Sequence, residues 1–282
     1  PYYRFLRGKI SMPWLTGMFS VLWTALSVYL VSDLLKLRRK ATMAFAAVLG
    51  TAISITLLNA TYNDKSDPFT CAMFLAFLGV YAVRCCRPWL GVVLCGGCLC
   101  LSMGLYQGYI EFAIGLFLLC LLRDCLTRDL PWADYLRRGF TSVAALLLGG
   151  VLYAVSMKAV LAYKHLELID SYNGLQQMGR SGPAVWLSRL PGAYKQVFTT
   201  LLGYDVWNNR GMRLATALCL LLALACLVLA LRRKPRRVLA QTAILLVLLP
   251  LGLNVVFLLS EQAPTLLMLY PVYLVYALVL LL

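Results

Sequence analysis

Acidic side chains at the edges of long apolar stretches are the residues of this sequence best suited to acid–base chemistry. Asp64 and Asp67 lie in the polar segment 61–68, directly before one apolar stretch, and Glu111 opens another. A carboxylate in such a position can take a proton from a hydroxyl group or hold a cation near a lipid headgroup. A solvated turn at 61–68 and stabilisation of Glu111 by its own helix N-terminus are the structural alternatives.

A short aromatic and polar segment, Ser102–Ile110, comes directly before Glu111. Tyr106, Gln107 and Tyr109 lie within it. A carboxylate placed deep in an apolar stretch is costly, which favours a functional role for Glu111. Tyr106 and Tyr109 also fit an interfacial aromatic belt, so a structural role for the segment stays open.

The segment 164–211 is too long for a simple connection between two helices. Its aromatic side chains can stack on sugar rings, and its basic side chains can bind phosphate. The candidate binding residues are Arg180, Trp186, Arg189 and Lys195. Ser181-Gly182-Pro183 predicts a helix start, with two short interfacial helices following at 184–190 and 193–202. A loop in contact with anionic lipid is the structural alternative.

The elements that must position these residues are membrane helices, because apolar stretches alternate with basic clusters along the whole chain. Hydrophobic residues make up 62% of the sequence, and the mean hydropathy is +0.80. A bilayer is crossed by roughly 20 apolar residues. The sequence therefore predicts an all-α integral membrane protein that forms a single polytopic domain over 1–282, and it excludes a soluble enzyme.

About nine transmembrane helices are predicted, with a long extracytoplasmic loop at 164–211 between the sixth and the seventh. Their approximate bounds are Pro13–Leu35, Ala41–Ala60, Phe69–Val83, Trp89–Leu105, Ile110–Leu122, Phe140–Tyr163, Met212–Leu231, Val238–Leu259 and a ninth from near Pro264. The sequence starts at Pro1 without a signal peptide and ends within an apolar run, so we expect truncation at both ends.

Four basic clusters fall on the same side of the membrane at every alternation. They are Lys36–Lys40, Arg84–Arg87, Arg123–Arg138 and Arg232–Arg237. Because Lys and Arg accumulate in short cytoplasmic loops, this side is predicted to be cytoplasmic, and Asp67, Glu111 and 164–211 lie outside it. The net charge of +15 is explained by this orientation, so no nucleic-acid partner is expected.

Metal and cofactor signatures are weak. Cys95, Cys98 and Cys100 lie close together, but no His or carboxylate is near them in sequence, so we interpret them as small packing residues. The sequence contains no Gly-rich nucleotide loop, nucleophile elbow or zinc-ligand spacing. No metal-ligating residue and no cofactor is predicted, although a divalent cation at the outer carboxylates stays open.

These motifs resemble the type II O-antigen glucosyltransferases, multispan membrane enzymes of the C-type glycosyltransferase class. Ser102–Glu111 is similar to that family's "S-L-G-x-Y-Q-x-Y" stretch at a helix end. Tyr62–Asp67, followed by the apolar Phe69–Val83, is similar to its second outer loop and next span. Arg7-Gly8-Lys9 is similar to the "G-R-W" stretch that begins one of its early spans, with only the glycine matching in place.

The resemblance implies transfer of a glucosyl-type sugar from a polyprenyl-phosphate donor to an O-antigen-like glycan of the lipopolysaccharide. The reaction would occur on the extracytoplasmic face of the bacterial inner membrane. In such enzymes an acidic residue in the first outer loop is the usual catalytic base. Residues 1–12 contain no acidic residue. We therefore expect either that the catalytic acid lies upstream of Pro1 or that this protein is an inactive member. Asp67, Glu111 and Asp64 are the candidate acids present, and Arg7 and Lys9 are candidates for the donor phosphate. The resemblance is most specific around Tyr106 and Gln107, which are therefore expected to shape the site.

Two other functions fit the same composition. A carrier or flippase for lipid-linked sugar would place ionisable residues near mid-membrane, with broken helices and repeated halves. The sequence has no clear internal repeat and no charge in the middle of a predicted span, which argues against a carrier. The second alternative is a non-catalytic relative of the glycosyltransferases that acts in assembly.

Overall fold

The computed structural model describes residues 12–61, 65–165, 182–202, 210–260 and 264–282, and the regular elements within these ranges are all helical. The predicted all-α class is therefore confirmed for the described residues. The chain forms two compact units. The first comprises Pro1–Ala113 and Phe140–Glu167, and the second comprises Ile114–Gly139 and Leu168–Leu282.

Among the described residues, seven helices begin in the first half of the chain. They are α1 (Pro13–Leu35), α2 (Arg39–Thr51), α3 (Ile53–Thr61), α4 (Ser66–Cys85), α5 (Pro88–Leu105), α6 (Ile110–Arg128) and α7 (Trp132–Lys164), with a 3-10 turn at Gln107–Tyr109 before α6. The first turn of α6 and most of α7 belong to the first unit. Five more elements follow in the second unit: α8 (Pro183–Leu202), α9 (Arg210–Leu231), α10 (Arg236–Gly252), α11 (Val255–Leu259) and, after a 3-10 turn at Tyr270–Leu274, α12 (Val275–Leu281).

The first unit is built on α4, which packs against α1 and against α5. Gly91 of α5 permits close approach, because a Cβ there would lie 2.8 Å from the Ala82 carbonyl oxygen and 2.8 Å from the Val83 Cα. Near the other end of α5, the Ser102 hydroxyl donates a 2.7 Å hydrogen bond to the Ala72 carbonyl oxygen. Small residues and a buried hydroxyl thus hold two membrane helices together, as is typical of packing in bilayers.

The two ends of α1 follow from its sequence. Pro13 occupies the first turn, where its missing N–H costs nothing, and Lys36 ends the helix in the left-handed conformation with φ 54°. These are the bounds that hydropathy predicts. The predicted second span at 41–60 is instead two helices, α2 and α3, that meet at Ala52 with a bend of 42°.

Several sequence-based boundaries are wrong. The predicted eighth span at 238–259 is instead the two helices α10 and α11, separated at 253–254. A single helix, α8, replaces the two short helices expected at 184–190 and 193–202, and it continues through Pro191. The next residue is Gly192, whose Cα faces the Phe257 ring, since a Cβ there would lie 2.9 Å from two ring carbons. This packing keeps the helix in place across the proline. The helix α7 starts at Trp132 rather than near 140, because the charged side chains of its first turns form ion pairs instead of ending it.

Within the described ranges, five helices are long and apolar enough to cross a membrane, and the bent α2–α3 pair provides a sixth candidate. The five are Pro13–Leu35, Ser66–Cys85, Pro88–Leu105, Trp132–Lys164 and Arg213–Leu231. Large apolar side chains on them are exposed, including Trp14, Val151 and Leu221. Exposed apolar faces of this extent indicate contact with lipid. The count of nine spans stays a prediction.

Candidate functional site

Asp67 lies in the first turn of α4 and is fully buried. The helix is fixed around it by Thr70, whose hydroxyl donates to the carbonyl oxygens of Ser66 at 3.1 Å and of Asp67 at 3.0 Å. Four unpaired N–H groups at a helix start create a positive potential, which stabilises a carboxylate there. The sequence placed Asp67 in a polar loop, whereas the structure places its side chain inside the unit.

Glu111 occupies the matching position on α6, in the first turn and fully buried. The 3-10 turn before it reverses the chain after α5, and the Tyr109 N–H donates to the Tyr106 carbonyl oxygen at 3.2 Å. Glu111 therefore also lies at the positive end of a helix. Its burial agrees with the expectation that this carboxylate is not a solvated loop residue.

An aromatic cluster connects the starts of the two helices. Its ring centroids are separated by 4.6 Å for Phe69–Tyr106, 6.0 Å for Phe69–Tyr109, 4.7 Å for Tyr106–Tyr109 and 4.9 Å for Tyr109–Phe112. Phe69 follows Asp67 by two residues, and Tyr109 precedes Glu111 by two residues. The helix starts that carry the two predicted carboxylates therefore lie at the same end of the first unit, beside one set of aromatic rings.

Gln107 adds a hydrogen-bonding group to the same end. Its side-chain amide N–H donates to the Tyr153 hydroxyl of α7, and that hydroxyl in turn donates to the Met157 sulfur at 3.5 Å. The Gln107 Oε1 atom is buried and accepts no hydrogen bond from the described residues. A buried acceptor without a donor is unusual, and a ligand hydroxyl would satisfy it. Tyr106 and Gln107, both predicted to shape the site, thus lie beside the carboxylates.

Three predicted binding residues of the second unit are described, and each has different surroundings. Trp186 is half-buried, and its indole N–H is buried without an acceptor among the described residues. Arg189 donates from its guanidinium to the Ser260 carbonyl oxygen, just after α11 ends. Lys195 is exposed and lines an open groove between α8 and α9.

Two further basic residues of that groove were not among the predicted site residues. Arg210 and Arg213 open α9 and line the groove together with Lys195. The sequence could have indicated them, because two Arg in the first turn of a helix are unfavourable next to the positive end of its macrodipole. Such an unfavourable placement suggests a role other than stability. The predicted span began at 212, so its polar first turn was assigned to the loop.

The remaining predicted residues, Arg7, Lys9, Asp64 and Arg180, lie outside the described residues. Within the described ranges, no group of three or more His, Cys, Asp or Glu side chains is arranged to bind a metal ion. The ten cysteines are free thiols, and Cys95 packs so closely against Gly79 that a Cβ on that glycine would lie 3.0 Å from the Cys95 sulfur. This contact fits the predicted packing role of Cys95.

A family model described as glucosyl transferase GtrII matches residues 1–282. The chain belongs to the GtrII glucosyl transferase family. The predicted resemblance to the type II O-antigen glucosyltransferases is thereby confirmed. No curated protein and no solved structure matches the chain.

Membership of the GtrII family, together with the apolar helices, indicates a membrane-embedded glycosyltransferase. Such a reaction joins an acceptor hydroxyl to the anomeric carbon of a sugar, and the hydroxyl proton must go to a base. Asp67 and Glu111 are carboxylates, and a carboxylate is one of the groups that can act as such a base. The aromatic rings and the Gln107 acceptor beside them are groups suited to holding a sugar.

Proposed function

We propose that this GtrII family member transfers a glucosyl residue from a polyprenyl-phosphate donor to an O-antigen-like glycan. One of the two buried carboxylates, Asp67 or Glu111, accepts the proton of the acceptor hydroxyl. The acceptor oxygen then bonds to the anomeric carbon, while the bond from that carbon to the phosphate oxygen breaks. The polyprenyl phosphate leaves with the electron pair, and the second carboxylate orients the donor or acceptor.

The observation that carries this proposal is the burial of both carboxylates at two helix starts that meet through one aromatic cluster. Full burial of an acid among apolar helices is costly, and two such acids at the same end of one unit are a strong indication of function. Tyr106 and Tyr109 offer ring faces for the sugar, and the Gln107 Oε1 atom offers an acceptor for a sugar hydroxyl.

We further propose that this end of the first unit faces the outside of the bacterial inner membrane. The opposite end of the unit supports that orientation. There the Tyr81 hydroxyl of α4 donates to Asp33 of α1 at 3.1 Å, so the C-terminal ends of α1 and α4 lie together. Lys36 and Arg84 belong to these ends, and both come from basic clusters that the charge rule assigns to the cytoplasm. We also propose the predicted layout of nine spans in a single domain, with the segment 164–211 on the outer face of the membrane.

The experiment compares carboxylate variants of the full-length protein, purified and reconstituted in vesicles. Asp67→Asn and Glu111→Gln are each expected to lower glucosyl transfer by about 10²–10⁴-fold, the usual contribution of a general acid or base. Asp33→Asn is the matched control, since it removes one carboxylate charge at the other end of the unit and is expected to leave transfer unchanged. Full transfer in both test variants would refute the assignment of the site.

A carrier for lipid-linked sugar is the second candidate, and the bend at Ala52 favours it. Carriers commonly bind their substrates at interrupted helices, and α2 and α3 form such an interrupted pair. A vesicle assay without acceptor separates the two functions. A carrier moves lipid-linked sugar across the bilayer under these conditions, whereas a transferase leaves it in place until the acceptor is added. A non-catalytic relative does neither.

A further inference from the structure

An open groove of about 710 Å³ lies between α8 and α9 in the second unit. One part of its wall is apolar, from Phe198, Leu202, Leu214 and Ala217, and Thr199 contributes a hydroxyl. The other part is basic, from Lys195, Arg210 and Arg213. A groove with a cationic part and an apolar part matches a molecule that carries an anionic head on an apolar chain.

Within the described part of the chain, no acidic side chain neutralises the positive charge of the groove. The described lining residues include no Asp or Glu, and the three basic side chains among them are exposed. Among the described residues, none of the three forms an ion pair. Arg210 and Arg213 also add to the positive end of the α9 dipole, where an acidic residue would be the stabilising choice. All these contributions favour a bound anion.

We propose that this groove binds a long-chain lipid monophosphate, the chemical class of the lipid product that the proposed reaction releases. The inference rests on the proposed function for the origin of that lipid. A phosphate monoester carries a charge of about −1.5 to −2 at pH 7 and three strong acceptor oxygens, which suits three cations. Two of the cations are Arg, whose planar guanidinium binds phosphate oxygens in pairs. The apolar wall receives the first part of the lipid chain.

Charge distinguishes this ligand from the other anionic lipids of a membrane. A phosphodiester lipid, such as phosphatidylglycerol, carries a single negative charge and so gains about half of the electrostatic attraction. We therefore expect polyprenyl monophosphate to bind at least about tenfold more tightly than phosphatidylglycerol, and the difference should shrink as salt is added.

The test measures binding of polyprenyl monophosphate to the full-length protein in nanodiscs of uncharged lipid. Two triple variants with equal loss of charge are compared. The test variant is Lys195→Gln, Arg210→Gln and Arg213→Gln, and the control is Arg232→Gln, Arg233→Gln and Arg236→Gln, which lies beyond the other end of α9. We expect the test variant to bind about a hundredfold more weakly, and the control to stay within about twofold of the unmodified protein.

A further variant tests the apolar wall while it keeps every charge. Ala217→Phe fills the groove with a ring and is expected to weaken binding of polyprenyl monophosphate by about tenfold. Inorganic phosphate should bind this variant as it binds the unmodified protein, because the cations remain.

Three results would overturn the inference. They are equal binding by the two triple variants, equal binding of polyprenyl monophosphate and phosphatidylglycerol, and unchanged lipid binding by Ala217→Phe. The assay requires no glucosyl transfer, so its outcome is separate from that of the proposed function. A protein that binds the monophosphate as expected but transfers no sugar would support the groove and refute the transferase.

Discussion

Replacement of Asp67 by Asn separates the chemistry of the candidate site from its structural role. The variant keeps the shape of the side chain and removes its charge and its ability to accept a proton. The Thr70 hydroxyl bonds only to backbone carbonyl oxygens at this helix start, so those contacts do not depend on the carboxylate. The local structure of α4 is therefore expected to persist.

The expected magnitudes make the two roles distinguishable. Loss of a carboxylate from a helix N-terminus costs about 0.3–1 kcal/mol at exposed sites and up to about 2 kcal/mol where the site is buried, as it is for Asp67. Loss of a general base lowers the rate by about 10²–10⁴-fold, which corresponds to about 2.7–5.5 kcal/mol in the activation barrier. The kinetic effect therefore exceeds the effect on stability.

The assay follows transfer of a radiolabelled glucosyl group from polyprenyl phosphate to the glycan, in vesicles that contain known amounts of folded protein. Thermal melting in detergent measures the stability of the same samples. We expect kcat/KM to fall by at least about a hundredfold while the melting temperature changes by only a few degrees. A rate that falls only as far as the folded fraction falls would refute the catalytic reasoning for Asp67.

Three further predictions concern packing and positioning. Gly91→Ala is expected to lower the stability of the protein by about 1–3 kcal/mol, because the new Cβ would meet backbone atoms of α4. Gly97→Ala on the same helix is the control. No atom lies within 4 Å of a Cβ at this position, so the change is expected to be neutral or stabilising in the same detergent melt. Equal melting of the two would contradict the tight α4–α5 contact. Tyr153→Phe removes the hydroxyl that accepts a hydrogen bond from the Gln107 amide. It is expected to raise KM for the sugar donor by about tenfold at unchanged kcat. An unchanged KM would exclude Gln107 from substrate binding. Arg138→Met removes the 2.5 Å ion pair of Arg138 with Asp124, a fully buried carboxylate of α6. This variant is expected to destabilise the protein by about 3–5 kcal/mol. A melting temperature like that of the unmodified protein would refute the importance of this pair.

Hydropathy predicted the helices well wherever the chain changes abruptly from apolar to basic. The bounds of α1 are those expected, because Pro13 and the basic residues after Leu35 mark both ends. Hydropathy was less informative where a helix continues beyond its apolar part. The charged start of α7 extends eight residues before Phe140, because Asp134 and Arg137 pair at 2.9 Å within the helix.

The interruptions of helices were not predictable from single residues. Ala52 is a good helix former, yet the bend falls there, with no proline at the break. Pro191 is a helix breaker by its intrinsic preference, yet α8 continues through it beside Gly192 and Phe257. At Pro191 the packing of the neighbouring Gly192 against Phe257 outweighs the local preference, and a single sequence contains no record of that packing.

Some features of the candidate site could likewise be predicted from the sequence, and others could not. Asp67 and Glu111 could be predicted because an acid beside an apolar stretch is conspicuous in any sequence. Their common location could not, since it depends on contacts of Phe69 with Tyr106 and Tyr109, which lie about forty residues further along the chain. The hydrogen bond from Gln107 to Tyr153 of α7 joins residues that are even further apart in the sequence, and nothing near either residue predicts it.

The most direct test of the central claim is a double-mutant cycle on Asp67 and Glu111, read from kcat/KM for glucosyl transfer. Groups that act in one site are not additive, so we expect the double variant Asp67→Asn, Glu111→Gln to be about as slow as the slower single variant. Losses that multiply would mean that the two carboxylates act independently. A double variant as active as the unmodified protein would remove both of them from the reaction.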